Sequence, residues 1–151
     1  MKVEKTQRRR TREAIIPEKE HKKDVRATAS VPFLDHFLVK RRTDIRGELD
    51  SLIRQIDEQA QLIEKSLTFE TLEMYRTLVQ KFIHIAIHEL YEVEEKLSVS
   101  KTGKQKALVI VKKINTALEE LTSEFLGRQV NLINFMGRMD QIRGLLVDLY
   151  S

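Results

Sequence analysis

The stretch LDSLIRQIDEQAQLIEKSLTFETLEMYRTLVQKF, residues 49–82, carries two runs of apolar residues at helical spacing on either side of a short link. Before the link, Leu49, Leu52, Ile53, Ile56, Ala60 and Ile63 recur at threes and fours. After it, Leu72, Tyr75, Val79 and Phe82 do the same. A period near 3.6 predicts two amphipathic helices, each with a wide stripe turned to a core. Leu67 and Thr68 end the first run. Thr68 is expected to cap the second helix, with the Glu70 carboxylate in its first turn.

Further along, the second helix is expected to run to about Leu97 through Ala86, Leu90 and Val93, flanked by Leu78 and Ile83. SVSKTGKQK then breaks the pattern with Ser, Thr and Gly. A third run from about Lys104 places Ala107, Val111, Ile114, Leu118, Leu121 and Phe125 on one face, and Gly127 punctuates it. A last run carries Phe135, Met139, Ile142, Leu146 and Leu149. Upstream of residue 49, Ile45 opens the first run and Thr43 or Asp44 is expected to cap it. Phe33, Leu34, Phe37 and Leu38 form a short apolar face behind Ser30 as cap and Pro32 in the first turn. This segment is either a short extra helix or a backward extension of the first long one.

Four amphipathic helices of about 30–40 Å joined by short links predict an all-α, antiparallel four-helix bundle. Residues 31–151 are read as this bundle domain and residues 1–30 as a basic flexible tail. The first thirty residues hold ten Lys/Arg against five Asp/Glu; the remainder holds seventeen against eighteen, so the tail carries the whole excess behind the net charge of +4. With so few large apolar groups, the tail has little surface to bury against its ordering entropy. Five Gly and two Pro in 151 residues leave few turns, which argues against all-β or doubly wound folds. Without cysteine there is no disulfide, thiol nucleophile or Cys-type zinc site. The longest apolar run, Ala107–Val111, is far short of the roughly 20 residues that span a bilayer. The N-terminus lacks the apolar stretch of a secretory signal. A cytoplasmic protein is expected.

LVQKFIHIAI, LTSEFL and above all the terminal IRGLLVDLYS resemble the YaaR family, small bacterial proteins assigned to a domain of unknown function. The resemblance covers roughly Phe33 to Ser151 and leaves the tail outside. It implies a four-helix bundle in a bacterial cytoplasm, and no assigned activity, catalytic residue or cofactor. Genes of the family often lie beside those for a PII-like signalling protein and a clamp-loader subunit, which points to a protein partner in nucleotide signalling or replication.

Three features invite a chemical reading. His84 and His88 stand four apart with Glu92 behind them, a spacing that suits a metal ion. Taking Leu72 as zero on a 100° step, however, the core stripe centres near roughly 320°, with His84 near roughly 120° and His88 near roughly 160°. Both imidazoles are therefore expected on the solvent face, whereas bundle metal sites use ligands projecting inward from several helices. The acidic run Glu89, Glu92, Glu94 and Glu95 is read as a charged helix surface. Finally, Arg8, Arg9, Arg10, Lys22 and Lys23 in the tail, with Lys101, Lys104 and Lys106 at a helix start, form candidate contacts to phosphate or nucleic acid. The tail has no aromatic residue to stack bases, so its binding is expected to be sequence-blind. Ile85 and Ile87 widen the apolar face beyond the core stripe, and Leu145, Val147 and Tyr150 do so on the last helix. That width suits a homo-oligomer or partner groove. The favoured reading is a non-enzymatic adaptor or regulatory module, with no cofactor. A nucleic-acid- or nucleotide-binding accessory protein is the alternative, and a metal-binding protein the third.

Overall fold

The structure, a computed structural model, describes residues 2–97 and 103–151, with side chains from Pro32 onward. Its elements are α1 (Lys2–Lys65), α2 (Phe69–Ile85), a π segment (Ala86–Leu90), α3 (Tyr91–Lys96), α4 (Gly103–Leu126) and α5 (Leu132–Tyr150). α2, the π segment and α3 follow without a break as one rod, so the chain has four helical rods and, among the described residues, no strand. The Phe33–Leu38 segment is an extension of the first long helix: α1 runs through Thr43 and Asp44, and neither caps a helix start there. The side chains of the basic tail, with Arg8, Arg9, Arg10, Lys22 and Lys23, and of the expected Ser30 cap lie outside the described residues, as does Lys101.

The chain divides into two units, Met1–Val39 and Lys40–Ser151. In the first, Phe33, Leu34 and Phe37 are exposed and Leu38 is buried. The second holds the bundle. Its core takes Ile45, Leu49, Leu52, Ile53, Ile56 and Ile63 from α1 and Leu72, Tyr75, Val79 and Phe82 from α2. Phe135, Met139, Ile142, Leu146 and Leu149 of α5 are buried without exception. Val111 and Phe125, expected in the α4 stripe, are half-buried at its margins, and so is Ala60 in α1.

The helices alternate in direction. Gln59 donates to the Thr71 carbonyl at 2.9 Å close to the first turn, while Arg41 meets Glu89 at 3.4 Å far from it. Between α1 and α5, Arg143 pairs with Asp57 at 2.8 Å and Tyr150 donates to Asp50. The start of α5 therefore lies at the same end of the bundle as the α1–α2 turn, and the end of α5 at the opposite end.

Local chemistry sets the turns. Thr68 accepts from the Thr71 amide at 3.1 Å, and the Thr71 hydroxyl lies 2.9 Å from the Thr68 amide that donates to it, a reciprocal cap with Thr where Glu or Gln is commoner. Asn131 caps α5, its side-chain oxygen accepting from Ile133 at 3.0 Å. At the end of α4 the left-handed residue is Arg128 (φ 56°), not Gly127. Gly127 serves by its size, since a Cβ there would lie 3.2 Å from the Ser123 carbonyl oxygen.

The π segment widens one turn of the rod, with Ala86 and Leu90 both fully buried. Just before it Ile85 is buried in the core, and within it Ile87 is half-buried, where the sequence placed both beyond the main stripe.

Candidate functional site

At the bundle end opposite the α1–α2 turn, α1, α3, the start of α4 and the end of α5 enclose a cleft of about 350 Å³. Its walls present the side chains of Arg42, Arg46 and Lys106 against those of Glu94 and Asp148, three cationic side chains to two carboxylates. Arg46 donates to Glu94 at 3.2 Å, and the Glu94 side chain is almost wholly buried. Arg42 and Lys106 have no ion-pair partner among the described residues.

The tyrosines hold the cleft's walls. Tyr91 donates to the Leu149 carbonyl at 2.8 Å, tying α3 to the end of α5. Burial, then the nearby Glu94 charge, pushes the Tyr91 phenol up. Tyr150 packs edge-on against Phe82 with ring centroids 5.5 Å apart and donates a hydrogen bond to Asp50. Burial, the hydrogen bond to Asp50 and the Asp50 charge push the Tyr150 phenol up to about 12.

Of the residues singled out for anions, Lys106 lies in this cleft and Lys104 is exposed beside it in sequence. Arg42, Arg46 and Asp148 were not legible as site residues, because they come together only when distant segments pack. Glu94 departs from the charged-surface reading. The π segment turns less per residue than an α-helix, so the carboxylate swings toward the core, where Arg46 neutralises it.

His84 and His88 are exposed, with ring centroids 4.6 Å apart and planes tilted by 44°. Glu92 turns away to Lys96 at 3.4 Å. Among the described residues no three His, Cys, Asp or Glu side chains are gathered as a metal-holding group. No helix among them is long and apolar enough to cross a membrane.

A second feature lies at the turn end. Leu62, Phe69, Met74, Leu126, Leu132 and Ile133 are all exposed, Ile133 at 83%. They flank the α1–α2 and α4–α5 turns, which share that end of the bundle.

The family model described as a protein of unknown function, DUF327, matches residues 4–150. The chain belongs to the DUF327 family. Uncharacterized protein YaaR of Bacillus subtilis (strain 168) is 29% identical over 104 residues, 69% of this chain and 71% of that protein. The crystal structure of uncharacterized protein BH1478 from Bacillus halodurans is similar with a TM-score of 0.69 at 27% identity, covering 76% of this chain and 94% of that one. The DUF327 match reaches across the terminal Gly-Leu-Leu-Val-Asp-Leu-Tyr, whose last three residues, Asp148, Leu149 and Tyr150, line the cleft.

Proposed function

We propose that this DUF327 protein is a non-enzymatic cytoplasmic module that acts as an adaptor or regulatory partner of another protein, docked at the turn end of its bundle. What carries the reading is the gathering of Leu62, Phe69, Met74, Leu126, Leu132 and Ile133 at that end, all exposed. Exposed apolar side chains grouped in one place are costly in water and mark contact surfaces. The occupant that suits it is the apolar face of an amphipathic helix on the partner, laid across the two turns. The test is capture from a bacterial lysate by the full chain, in parallel with Phe69→Asp/Ile133→Asp. The reading expects a discrete protein held by the natural chain and lost from the variant. Retention of the same proteins by both contradicts it.

A second reading, a nucleotide-binding accessory protein, is favoured by one observation: Lys106 shares its cleft with Arg42 and Arg46, and two of these three cations have no carboxylate partner among the described residues. Phosphate groups would supply the missing negative charge. Titration with a nucleoside triphosphate tests it. Binding that Arg42→Glu/Lys106→Glu abolishes supports this reading, and no heat of binding to the natural chain removes it.

A further inference from the structure

The outward face of α4 has a charge pattern that matches itself when reversed. Taking Thr116 as zero on a 100° step, Lys112 and Glu119 fall on one flank at roughly −40° and −60°, and Lys113 and Glu120 on the other at roughly 60° and 40°. Each flank thus has a lysine toward the helix start and a glutamate toward its end, one turn either side of Thr116. All five residues are exposed, while Ile114, Leu118 and Leu121 on the opposite face are buried. Two surface grooves, of about 520 and 480 Å³, run between α4 and α5 and meet at Thr116 and Glu120. Lys112, Lys113 and Glu119 have no ion-pair partner among the described residues. Among the described residues Glu120 has only the 3.6 Å approach of Arg138, which also holds Glu124.

We propose that this face binds a second copy of the same chain, α4 against α4, in antiparallel register about a two-fold axis at Thr116. Such an axis keeps each flank on its own side and exchanges its ends. Lys112 of one copy then faces Glu119 of the other, and Lys113 faces Glu120, four pairings in all. The small side chain of Thr116 lets the helices approach at the centre. Val109, exposed at 56%, meets the Ser123 end of the second copy and supplies apolar contact at both edges of the interface. A parallel arrangement would set lysine on lysine and glutamate on glutamate, so the pattern selects the antiparallel one. The occupant is set by this complementarity: the same surface provides both halves.

The experiment is sedimentation of the full chain over a range of concentrations, at low and high salt. The proposal expects a monomer–dimer equilibrium that salt weakens, since exposed ion pairs are screened. Lys112→Glu/Lys113→Glu makes the face all acidic, and Glu119→Lys/Glu120→Lys makes it all basic. Each variant alone is expected to dimerise at least about 100-fold more weakly, as like charges then face one another. Mixed together, the two are expected to form the heterodimer, and the four-fold swap in one chain is expected to restore the homodimer. A chain that stays monomeric throughout overturns the proposal. A dimer indifferent to the charge reversals, as association through the apolar turn end would be, overturns it too, and so does failure of the mixture to associate. Unchanged helical circular dichroism in each variant confirms that the reversals act on the surface and not on folding.

Discussion

Arg46 on α1 neutralises Glu94 on α3 across 3.2 Å, in the cleft at the bundle end opposite the α1–α2 turn. The carboxylate is the buried partner and the guanidinium the more exposed one. Removing the cation therefore leaves a desolvated charge without compensation, while removing both groups does not. Arg46→Ala is expected to lower stability by about 2 kcal/mol. Arg46→Ala/Glu94→Leu is expected to recover most of that loss, read as urea midpoints.

Tyr75 fills the core and is fully buried, yet its hydroxyl has no hydrogen-bond partner among the described residues. An unpaired buried hydroxyl has lost its water without replacement. Tyr75→Phe keeps the ring and removes the orphan. It is expected to be neutral or to stabilise by about 1 kcal/mol, measured by the same denaturation.

All three tyrosines resist ionisation. Burial first, then the charges of Asp57 and Asp140, pushes the Tyr75 phenol far up, and those of Tyr91 and Tyr150 rise from the same leading cause. A folded-state value raised above the unfolded one favours the protonated form. The contribution is complete below pH 10 and is lost as pH climbs toward the folded value, about 12 for Tyr150. Stability is therefore expected to fall between pH 10 and 12, with phenolate absorbance lagging behind that of free tyrosine until the bundle opens. Normal phenolate titration near pH 10 in the folded chain would contradict this.

Arg128 holds a left-handed conformation after α4, with its amide donating to the Phe125 carbonyl at 3.1 Å. A Cβ is strained there and glycine is not. Arg128→Gly is expected to raise stability by about 0.5–1 kcal/mol, whereas Gly127→Ala is expected to lower it because its methyl would press on the Ser123 carbonyl.

The fold was legible where one helix face decides the outcome. The stripe from Phe135 to Leu149 is buried as its spacing requires, and the phase that turned His84 and His88 outward holds. Thr68 stands as the cap its position implied. Thr43 and Asp44 do not cap a helix start, because a capping side chain only permits a start and α1 runs through both. Gln59 is a buried polar residue, and its amide donates to the Thr71 carbonyl. The cleft was the least legible part. Lys106 was visible as a helix-start cation, but its companions Arg42, Arg46 and Asp148 stand on other helices and join it only through packing.

The proposal that the turn end is a protein-docking surface is tested most directly by a photo-crosslinking amino acid placed at Ile133 in the full chain in cells, with His84 as the control site. The account predicts a discrete protein adduct from position 133 and none from position 84. No adduct at 133, or the same adducts from both positions, would contradict it.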